Sequence, residues 1–183
     1  MKLFDRILQN WRISKARPYF KANLRILDIG CSDGALFREL AGSFAEGVGI
    51  DPDLASSVRA DSYQLLSGDF PKALGNDHPF DVITMLAVLE HIPQEVQPHF
   101  ARDCARYLKP AGVLVITVPS PLVDKIITVL RWLRIMEGTR FDQHYGFDCA
   151  QTPALFGGAG LKLIKAKKFQ LGLNNLFVFQ KPG

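Results

Sequence analysis

Between residues 24 and 119 the chain repeats one pattern, a short and almost wholly apolar run followed by an amphipathic stretch. The apolar runs fall at 24–29, 47–50, 63–66, 82–85 and 113–118. Runs without polar alternation belong to strands buried on both faces, and the stretches at 35–41, 53–60 and 94–108 have helical spacing. The pattern predicts a parallel sheet covered by helices on both sides. After Pro119 the rhythm breaks. Residues 121–150 hold an amphipathic stretch and a polar loop, and 152–160 reads as a helix stopped by glycines. The strands at 163–169 and 176–180 are joined too closely for a parallel crossover, so they form an antiparallel hairpin.

The first strand runs into the sharpest local feature, Ile26-Leu27-Asp28-Ile29-Gly30-Cys31-Ser32-Asp33-Gly34. A strand, a turn of small residues and a helix let a ligand approach the backbone closely. A dinucleotide fingerprint starting at Gly30 needs glycine at positions 32 and 35, where the chain has Ser32 and Ala35. Asp28 would also repel a pyrophosphate, whereas it suits a ligand carrying an ammonium group. The second strand ends at Asp51-Pro52, about 20 residues on, a spacing that lets a carboxylate accept both hydroxyls of a ribose. The third ends at Gly68-Asp69-Phe70, where Asp69 can accept from an exocyclic amine and the Phe70 N–H can donate to a ring nitrogen. Together these groups describe an adenosine that bears an amino acid.

Five pieces in register carry a family resemblance: residues 27–34; Gly49-Ile50-Asp51; Gly68-Asp69-Phe70; Phe80-Asp81-Val82-Ile83 through Leu89-Glu90-His91-Ile92-Pro93; and Leu108-Lys109-Pro110-Ala111-Gly112-Val113-Leu114. On them the chain resembles the class I S-adenosylmethionine-dependent methyltransferases. The resemblance implies a Rossmann-like three-layer sandwich, whose seven-stranded, mostly parallel sheet has an antiparallel last strand. It implies S-adenosyl-L-methionine as cofactor. Asp28 and the backbone around Gly30 and Cys31 would hold its methionine part, with Ser32 and Gly34 in the same cofactor-binding turn. Asp51 and Pro52 would meet its ribose and adenine, and Asp69 and Phe70 the adenine edge, while turn and packing roles are the alternative for Gly30, Cys31 and Gly34. Leu86 would offer a carbonyl to the amino group. Asp69 also reads as a helix N-cap ahead of Pro71.

Residues 89–93 are similar to the small-molecule branch, which includes the O-methyltransferases of ubiquinone synthesis. Ala87 stands where those enzymes tend to carry an acid, which removes one hard oxygen ligand, so no metal is expected. A phenol or alcohol acceptor must lose its proton, and a histidine is suited to take it near neutral pH. His91 and His144 are the two candidates; a helix-end contact and a loop-fixing hydrogen bond are their structural alternatives. The end of the fourth strand, Thr84-Met85-Leu86-Ala87, lacks the Pro-Pro-aromatic signature of the branch that methylates nucleobase amines. The expected reaction is therefore methyl transfer to an oxygen of a small or lipid-like molecule. An RNA or protein methyltransferase, or a protein that binds the cofactor without turnover, are the alternatives.

A chain of 183 residues is expected to form a single domain, 1–183, with about 70 % of its surface buried. Substrate would be covered by an N-terminal amphipathic helix within 1–23 and by the insertion at 121–150. Leu3, Phe4, Ile7, Leu8 and Trp11 share one side of the first helix, flanked by Lys2, Arg6, Arg12 and Lys15. Leu122, Ile126, Val129, Leu130, Leu133 and Met136 share one side of the insertion, with Arg131 and Arg134 opposite. Both read as lids on the core, and their basic character makes peripheral contact with an anionic membrane the sharper alternative. Arg12 and Arg17 are candidates to clamp a cofactor carboxylate. The net charge of +4 is too small for a dedicated nucleic-acid binder. The one dense cationic run, Lys162, Lys165, Lys167 and Lys168, reads as the solvated face of a strand, with polyanion contact as the alternative. Cys31, Cys104 and Cys149 form no C-x-x-C pair, which suits a reducing compartment. Charges interrupt the first apolar stretch and no run is long enough to span a bilayer, so the expected location is cytoplasmic, with membrane contact at most peripheral.

Overall fold

The computed structural model describes residues 3–75, 78–120 and 148–183, with side chains from residue 6 onward. Its strands are β1 (Arg25–Ile29), β2 (Glu46–Asp51), β3 (Val58–Arg59), β4 (Tyr63–Ser67), β5 (Phe80–Leu86), β6 (Leu108–Pro119), β7 (Lys162–Phe169) and β8 (Asn174–Gln180). They form one sheet in the order β3-β4-β2-β1-β5-β6-β8-β7. Strands β4, β2, β1, β5 and β6 are mutually parallel. Strand β8 enters antiparallel between β6 and β7, as the resemblance implied.

The helices are α1 (Leu3–Ala16), α2 (Ala35–Glu39), α3 (Gln97–Tyr107) and α4 (Thr152–Gly158). Alternate residues of each central strand feed two separate cores. Leu27, Ile83 and Leu114 pack with Cys104 of α3 and Phe156 of α4, whereas Ile26, Val82 and Val115 pack with Ile13 of α1 and Phe37 of α2. All six of these strand residues are at most 2 % exposed, which explains why the strands read as unbroken apolar runs. Each such burial contributes about 2 kcal/mol. The 0% exposed Ala16 is the last residue of α1, after which Pro18 lies in a 3₁₀ turn, Arg17–Tyr19.

One expected helix does not form, and the strand count rises from seven to eight as a result. Residues 53–60 make turns and the two-residue strand β3, which pairs antiparallel with β4. The segment offers only Leu54 and Val58 as large apolar residues, and Val58 is 51 % exposed, so a helix there would bury little. Hydroxyl groups claim the backbone instead: the Ser67 N–H donates to Ser57 Oγ at 3.0 Å and Ser67 Oγ–H donates to the Leu54 carbonyl at 2.7 Å. Helix α3 is also shorter than expected. Leu108, Lys109 and Pro110 already belong to β6, and Tyr107 anchors the junction by donating its hydroxyl to the Gly75 carbonyl at 2.8 Å.

A candidate active site at the carboxyl edge of the sheet

In parallel strands the carboxyl ends and the turns that follow them gather at one edge, and here they open a cleft of about 950 Å³. Gly30 after β1, Asp51, Pro52 and Asp53 at the end of β2, and Asp69 and Phe70 after β4 line one side. Ala87, Val88 and His91 after β5, with Val96 and Phe100 at the start of α3, line the other. Its charged lining consists of Asp51, Asp53 and Asp69 against Lys72, an excess of two negative charges. Such a surface repels pyrophosphate and attracts a cation.

The turn after β1 is built tightly. Gly30 has φ +75°, and a Cβ there would lie 2.3 Å from Val88 Cγ2, so only glycine fits. The Gly30 and Cys31 N–H groups donate to the Ile50 carbonyl at 2.8 and 3.3 Å. Asp51 then fixes the turn from the neighbouring strand, because one carboxylate oxygen accepts from the Ser32 N–H at 2.7 Å and the other from the Asp53 N–H at 2.9 Å. Each oxygen keeps a second lone pair, enough for one hydroxyl of a vicinal diol apiece. Gly34, at φ +76°, precedes α2, and the Ala35 N–H donates to Asp33 Oδ1 at 3.2 Å.

Asp28 lies beneath this turn, 4 % exposed, with its Oδ1 accepting from the Thr84 hydroxyl at 2.6 Å. Burial pushes its carboxyl up to about 7, with the charge of Asp51 adding to the rise and the Thr84 bond opposing it. Cys31 is also buried, and desolvation beside Asp28 and Asp51 raises its thiol, so it acts as a small packing group. The Phe70 ring meets Phe100 and Tyr107 edge-on, with centroids 5.1 and 5.7 Å away, so its side chain builds the cleft wall. Asp69 does not act as a side-chain cap. The turn that follows, Lys72–Leu74, has Pro71 at its cap position and no side-chain cap bond.

Of the residues singled out from sequence, Gly30, Asp51, Pro52, Asp69, Phe70 and His91 line the cleft. Asp28, Cys31, Ser32, Gly34 and Leu86 stand behind or beside it. His144 and most of the 121–150 insertion lie outside the described residues. Sequence reasoning missed Val96 and Phe100, whose i, i+4 spacing after Pro93 is the signal that would have found them.

A second arrangement flanks the cleft beneath α1. Glu90, 2 % exposed, has its carboxyl raised to about 7 by burial, which the positive charge of Arg12 opposes. Burial lowers the Arg12 guanidinium in turn, and Glu90 opposes that shift. Among the described residues, six buried polar atoms on this side lack a hydrogen-bond partner: Arg12 Nε, Tyr19 OH, Glu90 Oε2, Thr117 Oγ1, Gln170 Nε2 and Asn174 Oδ1. Strand pairing gathers three of them, because Thr117 lies opposite Leu176, Asn174 is two residues along β8 on the same face, and Gln170 accepts from Asn174. Arg17 is exposed and takes no part.

A model of a methyltransferase domain matches residues 3–165. The chain belongs to the methyltransferase domain family. Curated relatives include a ubiquinone biosynthesis O-methyltransferase from Maricaulis maris, 36 % identical over 122 residues, which covers 61 % of this chain and 46 % of the relative. Another of the same name, from Azorhizobium caulinodans, is 31 % identical over 156 residues, 76 % of this chain and 59 % of the relative. The chain thus spans about half the length of these curated relatives. Among solved structures, the N-methyltransferase NodS from Bradyrhizobium japonicum superposes with a TM-score of 0.70 at 16 % identity, covering 99 % of this chain and 100 % of that one. NodS has also been crystallised with S-adenosyl-L-homocysteine. The superposition shows that this chain shares the fold of that methyltransferase. No helix among its described residues is long and apolar enough to cross a membrane.

Proposed function

We propose that this methyltransferase moves the methyl group of S-adenosylmethionine to an oxygen of a small or lipid-like acceptor. The acidic cleft lining carries the reading, since Asp51, Asp53 and Asp69 outnumber Lys72 at the edge where Gly30 admits a ligand against the backbone. These residues fit the cofactor. Asp28 offers a buried carboxylate to an ammonium group, Asp51 has lone pairs for a ribose diol, and Asp69 with the Phe70 N–H matches an adenine edge. When bound, the cofactor supplies an electrophilic methyl group on a positively charged sulfur.

The protein's share is alignment and proton handling. Its apolar wall of Val88, Ile92, Val96 and Phe100 offers a bound acceptor a weakly solvating surface. His91, exposed on this lining after β5, takes the proton from the acceptor's hydroxyl as the oxygen gains its methyl. The acceptor lies in the same cleft, against Val88, Ile92, Val96 and Phe100 beside His91. The O-methyltransferase names of the curated relatives support oxygen over nitrogen.

Calorimetric titration with S-adenosylhomocysteine tests the cofactor site. Asp51→Ala is expected to weaken binding by about 10-fold or more, as loss of a charge-assisted pair of hydrogen bonds predicts. Unchanged affinity would remove the site assignment. Mass analysis of products from a panel of phenols, alcohols and amines then tests the acceptor. O-methyl ethers that fail to form with His91→Ala support the reading, whereas N-methyl products or methylated RNA refute the oxygen assignment.

A further inference from the structure

The lysine run noted in the sequence lies on β7, the last strand of the sheet, and every residue from 162 to 168 is exposed. No acidic residue occurs between 161 and 173, so this stretch carries +4, as much as the whole chain's excess. Lys165 and Lys167 sit opposite Val178 and Leu176, on the α1 side of the sheet, while Lys168 sits opposite Asn175, on the other. The open lateral edge of β7 is therefore flanked by ammonium groups from both faces.

Lysines and a register shift, which here falls between Leu163 and Lys165, are a common guard against pairing with a foreign strand. That guard does not call for exposed aliphatic groups. Yet Leu163 and Ile164 are 37 % and 46 % exposed, and Leu171, in the turn between β7 and β8, is 98 % exposed. Leu171 is also held at φ +56° beside Gln170 at φ +51°, a left-handed conformation that leucine disfavours and asparagine tolerates. Neither solvation nor backbone geometry accounts for leucine at this position.

The turn's location is informative. Phe169 pairs with Asn174, which pairs with Pro119 at the end of β6, so Leu171 projects from the carboxyl edge, where the cleft opens. We propose that the β7 edge and Leu171 dock the protein on an anionic lipid surface, with Leu171 entering the headgroup layer and the lysines facing lipid phosphates. RNA would satisfy the lysines but would gain nothing from Leu171, Leu163 and Ile164; a bilayer interface uses both kinds of group. Docking in this way brings the cleft's edge to the membrane. It does not depend on which acceptor is methylated.

The test is co-sedimentation of the full chain with vesicles of mixed phosphatidylglycerol and phosphatidylcholine, against phosphatidylcholine alone. Wild type is expected to pellet with the anionic vesicles at low salt and to be released as salt rises. Lys165→Gln and Lys167→Gln should each weaken binding about fivefold at low salt. Leu171→Asn should weaken it about tenfold at every salt concentration, from loss of a buried leucine. The same variant should keep its affinity for S-adenosylhomocysteine and melt no lower than wild type, because asparagine suits the left-handed turn. A protein that stays in the supernatant with anionic vesicles overturns the proposal. So does a Leu171→Asn variant that pellets like wild type, which, joined to salt-sensitive retention on polyuridylate, would assign the lysines to RNA.

Discussion

Two threonines on neighbouring strands, Thr84 of β5 and Thr117 of β6, are both 0 % exposed, yet their hydroxyls have opposite fates. Thr84 donates to Asp28 at 2.6 Å and lies 3.3 Å from the Leu27 carbonyl. Thr117 Oγ1 has no partner among the described residues. The contrast extends to their surroundings. Around β1 and β2 the site completes itself, with Asp51 holding two backbone N–H groups of the turns it shapes. Around β6 and β8 buried polar atoms are left unmatched, which costs stability unless something else supplies the missing bonds. One half satisfies its buried polar groups from within, and the other leaves them unmatched among the described residues.

The largest test of the self-completed half is Gly30→Ala. A methyl group 2.3 Å from Val88 Cγ2, at φ +75°, is expected to cost about 3 kcal/mol or more in denaturant unfolding. Adding Val88→Ala should return part of that loss by clearing the clash. Full stability in Gly30→Ala would mean that the turn is looser than its packing indicates.

The next largest effect is on pH. Asp28 and Glu90 both sit at about 7 in the folded protein, raised by burial from ordinary values near 4. The folded state therefore holds protons that the unfolded chain has released. Stability from these groups is complete at acid pH and is lost as pH rises through about 7. Between pH 6 and 8 each should cost about 1.4 kcal/mol, seen as a fall of several degrees in Tm. Asp28→Asn and Glu90→Gln should each flatten about half of that slope. Cofactor binding through the Asp28 carboxylate should run the other way, with affinity rising about tenfold over the same interval. A Tm independent of pH in this range would contradict the burial of both carboxyls.

The smallest effect separates the two halves most directly. Thr117→Val removes an unpartnered hydroxyl at nearly constant volume and is expected to raise stability by about 1 kcal/mol in denaturant unfolding. Thr84→Val removes a hydroxyl in use and should lower stability by a similar amount. Equal signs for the two variants would erase the distinction.

The cleft at the carboxyl edge, where we place the cofactor, was legible from the residues because its parts are local. Strand ends and the turns after them are contiguous in sequence, so Gly30, Asp51 and Asp69 could be placed on one edge once the strands were recognised. The expected helix at 53–60 failed for a reason also present in the sequence, since Ser57 and Ser67 offer hydroxyls that compete for the backbone. The electrostatic influence of Arg12 on Glu90, 78 residues away, leaves no local signal, because it exists only when α1 lies across the end of β5.

Sequence alone thus determined the central parallel strands and the antiparallel closing hairpin, the carboxylates at the strand ends and the family to which they belong. These follow from hydrophobic periodicity and from short spacings that the backbone converts directly into geometry. Only the tertiary structure decided which buried polar groups are matched, that Glu90 lies beneath α1, and that the lysine run borders an open sheet edge with Leu171 beside it. Burial and hydrogen-bond pairing are properties of neighbours brought together across the sheet, and neighbours distant along the chain are what folding, not periodicity, selects.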